Sequence, residues 1–246
     1  MRRFLYLTVM CIFFPTKASG VANILDVGLM NQGRPPYYSL PTDTEPTKGL
    51  YIDILDEIGR KIGIEFRYLF LPQARIRHLM NHYRLDVEPG IAEEWRIEPA
   101  ELENSIYSRS ILTSSEVVVY NPKRVQKPIN RNTFNALTSC SVLGFSKLNL
   151  ATGKEVKSQD VLTELQIFKL LQNQRCDFAV FPEDVIASKL VNSGLMATDS
   201  IHVFSLKLRL TNQHLGLLPS INTAIDNMVK SGVMANIIIK HRGLNE

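Results

Sequence analysis

The chain has 246 residues, with 28 basic against 24 acidic side chains and a formal net charge of +4. Much of the excess lies at the start, where Arg2, Arg3 and Lys17 face no acidic residue, so the charge balance supports neither a nucleic-acid nor an acidic-membrane partner. The length suits one large domain or two small lobes, each able to bury a core.

Arg2 and Arg3 give a positive start, and Phe4 to Phe14 form an apolar run of signal-peptide length, too short to cross a bilayer stably. Ala18-Ser19-Gly20 or Gly20-Val21-Ala22 supplies the small residues of a cleavage site. Residues 1–22 therefore read as a cleaved signal peptide and the mature chain as periplasmic; a retained anchor is the alternative. Cys11 follows Met10, which is too large to precede a lipid-modified cysteine. No later apolar run is long enough to span a membrane.

Ile24 to Leu29 open the mature chain with a strand, and a loop rich in Pro, Tyr and Thr runs from Asn31 to Lys48. Leu55, Ile58 and Ile62 fall at helical spacing, with Asp56, Glu57, Arg60 and Lys61 on the other side and Gly63 at the end. Asp53 reads as the cap of this helix. Ile64, Phe66, Tyr68 and Phe70 alternate as a half-buried strand does. Leu79, Met80 and Tyr83 mark a second helix, which runs down to Arg84-Leu85-Asp86-Val87. This β-α-β order puts loops at the carboxyl ends of parallel strands, where open α/β sheets bind ligands.

Ser114 to Tyr120 predict a strand that stops at Asn121-Pro122, and Pro122, Pro128 and the polar run to Asn135 mark a boundary. A second α/β unit runs from Cys140 to about Asn192, with a helix over Val161–Gln172. Met196 to Leu210 returns in extended form, and Ile221 to His241 is helical with a break near Gly232. Cys140 and Cys176 each start a strand-like run. If those strands are parallel neighbours, an oxidising compartment favours a disulfide; two buried thiols are the alternative. The terminal helix lacks a sheet of its own. The simplest packing returns it to the first lobe, which gives lobe one 23–118 plus 208–246, lobe two 122–205 and two crossings between them.

Pro35-Pro36-Tyr37, Gly49-Leu50-Tyr51-Ile52-Asp53-Ile54, Leu71-Pro72-Gln73-Ala74-Arg75, Arg84-Leu85-Asp86 and Glu94-Trp95-Arg96 resemble segments of the extracellular solute-binding proteins of family 3, and Gln174-Arg175-Cys176-Asp177 repeats the Arg-x-Asp pattern in the second half. The resemblance implies a two-lobe type II periplasmic-binding fold, each lobe a mainly parallel sheet with flanking helices. It also implies a receptor for a small polar solute, an amino acid or related carboxylate, with no cofactor. The implied partner is the membrane subunits of an ABC transporter, and the chain acts as a monomer with no nucleic acid. Tyr51 replaces one Asp of the family pattern, Glu93 replaces a Thr, and Pro182, followed by Glu183 and Asp184, stands where an amine-binding Asp is common. Arg96 matches the family's carboxylate-binding arginine, with Arg75 its rival, because a planar guanidinium donates two parallel bonds. Tyr37 and Tyr38 can stack on a ligand, Ser146 can supply a hydroxyl or backbone donor, and Glu183 is the replacement anion. These six residues form the expected ligand site.

His78 and His82 stand at metal-pair spacing, but Leu79 occupies the position a metalloprotease gives to Glu, and no third ligand is evident. No nucleophile motif stands out. A solute receptor leads, an enzyme on the same fold such as a cyclic-acid dehydratase is the alternative, and a sensor or assembly domain with a degenerate pocket is a third.

Overall fold

The computed structural model describes residues 23–126, 129, 133–146 and 156–243; the expected signal peptide lies outside them. Strand β1 (Asn23–Met30), helix α1 (Leu50–Ile62), β2 (Ile64–Leu71), α2 (Gln73–Asn81) and β3 (Val87–Ile91) form the first unit. β1 lies between β2 and β3 and runs parallel to both. Leu55 and Ile58 are buried on the inner face of α1. Gly63, at φ 73°, ends that helix in the left-handed conformation that glycine adopts without steric cost. Gly49 is the N-cap residue, and Asp53 sits inside the first turn, so the expected cap is displaced. The Asp53 carboxylate instead accepts bonds from Lys240 Nζ at 2.7 Å and His241 Nε2 at 2.8 Å.

After α3 (Pro99–Asn104), β4 (Ser105–Tyr120) runs for 16 residues. The expected strand is only its second half. β5 (Ser139–Val142), β6 (Ser158–Val161), α4 (Glu164–Gln172), β7 (Phe178–Pro182) and α5 (Glu183–Leu190) build the second unit. α4 begins later than expected because Val161 belongs to β6; Thr163 caps the helix, accepting from Gln166 N at 3.2 Å. β8 (Met196–Ala197), β9 (His202–Thr211), α6 (Leu218–Lys230) and α7 (Val233–Arg242) complete the chain, with Gly232 between the last two helices at φ 76°.

The strands form one sheet in the order β2-β1-β3-β9-β4-β7-β5-β6, with β8 on β4. β4 and β9 are the long antiparallel strands that join the two halves. β4 pairs with β9 from Ser105 to Glu116 and with β7 from Glu116 to Tyr120. One core gathers Leu25, Val27, Leu55, Ile58, Leu208 and Ile225. Another gathers Val119, Val142, Phe168, Leu171 and Phe181, with a smaller cluster of Val118, Phe134 and Phe178 beside it. These are the cores of two lobes. Helices α6 and α7 pack on α1, and Ile221, Ala224, Met228 and Met234 join the first core.

β5 and β7 are parallel neighbours, with Ser139 opposite Phe178. Cys140 and Cys176 are joined in a disulfide, with Cα atoms 6.0 Å apart. The two Arg-x-Asp segments serve one local purpose. Asp86 Oδ2 accepts the Asp26 amide at 2.7 Å, and Asp177 Oδ2 accepts the Thr138 amide at 2.7 Å. In each lobe a carboxylate just before one strand thus ties that strand to its parallel neighbour, β3 to β1 and β7 to β5.

Candidate ligand site between the lobes

A cavity of about 480 Å³ lies between the two cores. Its floor is where β4 changes partner. Glu116 is opposite both His202 of β9 and Pro182 of β7, and all three line the cavity. Lobe one contributes Arg34 and Tyr38 from the loop after β1, Gln73 from α2, and Glu88, Glu94, Trp95 and Arg96 from β3 and the short helical turn beyond it. Lobe two contributes Ser139, Ser141, Phe145, Ser146 and Ser158. A cavity of this size takes a small molecule and surrounds most of it.

Of the six expected residues, Tyr38, Arg96 and Ser146 line the cavity and Tyr37, Arg75 and Glu183 do not. Tyr37 is fully buried, its ring stacked on Tyr51 at 4.7 Å and its hydroxyl bonded to Ser114 Oγ at 3.0 Å. Arg75 is exposed on α2, whose inward face carries Gln73 and Ile76. Glu183 is exposed at the start of α5 and accepts a bond from Ser115 Oγ. The Tyr38 hydroxyl accepts the Met30 amide at 3.0 Å, which fixes that ring at the cavity wall.

Arg96 is 3 % exposed and already paired. Its Nη2 donates to Glu88 Oε1 at 2.6 Å and its Nε to Oε2 at 3.3 Å. Gln73 Nε2 donates to Oε1 at 2.7 Å and Arg209 Nη1 to Oε2 at 3.0 Å. Burial would push the Glu88 carboxyl up, but Arg96 and Arg209 outweigh it and hold it at about 2. Glu101, also fully buried, takes Arg77 at 2.6 Å and lies 3.7 Å from both Arg96 and Arg209. The guanidinium expected to meet a ligand is therefore part of a closed, buried ion network.

The residues that sequence reasoning passed over are Arg34, Glu94 and Glu116. Arg34 Nη2 is 2.9 Å from Glu164 Oε1 across the lobes, and its guanidinium lies 5.8 Å from the Tyr37 ring centre and 5.5 Å from that of Phe145. Burial pushes the Glu116 carboxyl up to about 7; Arg34 opposes that shift and Glu94 adds to it. The signal for Glu116 was a single carboxylate opening the run Val117-Val118-Val119.

Two lobes on one α/β sheet, crossed twice and enclosing a cavity, make the type II periplasmic-binding fold. A variant of ArgBP from T. maritima has this fold at a TM-score of 0.74 and 18 % identity, over 89 % of this chain and 95 % of that one. An ancestral arginine-binding protein bound to arginine gives 0.73 at 19 % identity, over 89 % and 98 %. An ancestral amino acid-binding protein, a precursor of cyclohexadienyl dehydratase, gives 0.71 at 17 %, over 89 % and 95 %. No protein-family model and no curated sequence matches the chain. Among the described residues no helix is long and apolar enough to cross a membrane, and no group of His, Cys, Asp and Glu is placed to hold a metal ion.

Proposed function

We propose that this chain is a periplasmic solute-binding protein whose lobes, near 23–118 with 208–246 and near 122–205, close over a small polar solute of the amino-acid type. The observation that carries this reading is the cavity of about 480 Å³ between the two cores, floored by the two crossing strands. β4 and β9 serve as the hinge, and closure brings the serines of lobe two onto a solute held by lobe one. The Cys140–Cys176 disulfide suits an oxidising compartment. The proposed partner is the membrane part of an ABC transporter; a similar structure is an amino acid ABC transporter substrate-binding protein from Streptococcus pneumoniae bound to L-arginine. Tyr38 and Ser146 are the proposed ligand contacts from the expected set.

A thermal-shift screen of small polar solutes tests the reading, because a ligand that binds only the native state raises apparent stability. Stabilisation by one or a few solutes, with a smaller radius of gyration in their presence, is the expected result. A second reading, an enzyme on the same fold, draws on Glu116, whose carboxyl is pushed by burial up to about 7, the range that suits a general acid. Turnover of the bound solute would favour it.

A further inference from the structure

We propose that the solute is a net cation, recognised through an ammonium or guanidinium accepted by Glu116 at the floor of the cavity, and that a carboxylate on the solute is not required. This deepens the receptor reading above and rests on it. The charges on the cavity wall carry the proposal. Among the described residues, the charged or titratable acid, guanidine and imidazole side chains on that wall are Arg34, Glu88, Glu94, Arg96, Glu116 and His202. Both guanidiniums are committed within the protein, Arg34 to Glu164 and Arg96 to Glu88. A solute carboxylate that took Arg96 would have to displace Glu88 and leave a buried anion with less than its present set of donors, a costly exchange. Glu94 and Glu116, by contrast, have no hydrogen bond or ion pair to another side chain among the described residues. Among the described residues of the wall, the charge left unanswered is negative.

Position adds to charge. Glu116 is the residue at which β4 passes from β9 to β7, so its carboxylate stands at the pivot between the lobes, where a bound cation meets both. The groups facing it are Arg34 from the loop after β1, Glu94 from the turn after β3, and His202, its register partner on β9. Beside it Trp95 and Phe204 meet edge to face at 4.8 Å, and the His202 ring lies 4.2 Å from Phe204. Aromatic walls next to a carboxylate suit an organic cation, whose charge is drawn to ring faces and whose carbon chain is buried by them. The raised proton affinity of Glu116 agrees, since burial of its carboxylate and the nearby Glu94 outweigh the opposing charge of Arg34.

The test is calorimetry on the mature protein with agmatine, putrescine, L-arginine, L-citrulline and L-glutamate, backed by the solute screen. Agmatine and arginine share a guanidinium and differ in the carboxylate; citrulline keeps the shape of arginine and its α-ammonium, but its side chain is uncharged and its net charge is zero. We expect at least one carboxylate-free cation to bind, citrulline and glutamate to bind at least about 10-fold more weakly, and E116Q to lose about 10-fold or more of the cation affinity. E116Q replaces a carboxyl by a neutral group of equal size, and its unfolding midpoint at pH 6 reports that it folds. Proton release on binding near pH 7, absent in E116Q, is the second readout. Binding of arginine without agmatine or putrescine overturns the claim that no carboxylate is needed. Citrulline binding as well as arginine, a screen that returns only neutral or anionic solutes, or unchanged cation affinity in E116Q overturns the charge assignment and leaves the receptor reading intact. A screen with no binder at all overturns both.

Discussion

Arg34 and Glu164 form an ion pair that bridges the lobes, with Nη2 2.9 Å from Oε1 and both side chains largely buried. The Gln32 side chain, two residues before Arg34, accepts the Glu164 amide at 3.1 Å, so one loop of lobe one grips the start of α4. Opening the cavity must break both contacts. Arg34→Met keeps the apolar stem and removes the charge. We expect it to shift the protein toward an open form, seen as a larger radius of gyration in X-ray scattering, and to weaken solute binding by about 10-fold. An unchanged scattering profile with unchanged affinity would remove this pair from the closing contacts.

The Glu88 network sets a second expectation. Glu88 is 2 % exposed and holds Arg96 and Arg209, both themselves buried. Glu88→Gln leaves two guanidiniums without their main counter-charge, a loss of about 3–5 kcal/mol when one partner of a buried pair is removed. Urea unfolding measures it. Arg75→Ala, at an exposed site on α2, should change stability by less than about 0.5 kcal/mol.

The same network shows how far spacing alone reaches. Gly63, the alternation from Ile64 to Phe70 and the break at Gly232 each act locally, so their effects are legible in the sequence. The first half of β4 is not, because its register shifts between Tyr107 and Leu112 and no alternation survives. β6 is hidden because Ser158-Gln159-Asp160 is a polar run at the edge of the sheet. That the end of β3 forms cavity wall is legible, since strand ends are a local property. What Arg96 does there is not. It depends on Glu88 and on Arg209 of a strand more than a hundred residues away, and long-range pairing leaves no mark on spacing.

Stability should depend on pH through Glu116 and Glu88 with opposite signs. The Glu116 carboxyl rises from its ordinary 4.5 to about 7, so the folded protein holds that proton more tightly than the unfolded chain. Its contribution is complete below about 4.5 and is lost as the pH rises through about 7. Glu116→Gln should therefore raise the unfolding midpoint relative to the parent at pH 8 and not at pH 4.5. Glu88 falls to about 2, so its contribution is present above 4.5 and lost as the pH falls toward 2. Midpoints measured from pH 3 to pH 8 for the parent, Glu116→Gln and Glu88→Gln separate the two.

The disulfide closes a loop between positions 36 residues apart. Its chain-entropy value for a loop of that size is about 4 kcal/mol. Cys140→Ser with Cys176→Ser should lower the stability of lobe two by roughly that amount. Cys140 lines the cavity wall, but a disulfide sulfur carries no charge, so solute affinity should change little at temperatures where the variant remains folded. Reductant should act on the parent in the same direction and have no effect on the double variant.

Gly144 separates closure from folding. It sits in the turn after β5 at φ 96°, a conformation that side chains with a Cβ rarely adopt, and it faces the start of α2 in the other lobe. A Cβ at this position would lie 2.5 Å from the Ala74 nitrogen and 2.7 Å from its Cα. Those are backbone atoms in a helix, so neither can swing aside. The Gly144 carbonyl also accepts Arg77 Nη1 at 3.3 Å, a second contact that needs the same close approach. Within lobe two, Gly144→Ala introduces backbone strain of about 1–3 kcal/mol, which unfolding in urea will register. Between the lobes it blocks the closed arrangement altogether. We expect a loss of solute affinity well beyond what the stability change accounts for, together with a scattering profile that stays open at saturating solute. Gly194 is also at positive φ, but a Cβ there would meet nothing within 4 Å, which makes it the control. Gly194→Ala should show a similar strain cost and bind as the parent does. Equal binding by both variants would mean that closure does not bring the Gly144 turn onto α2.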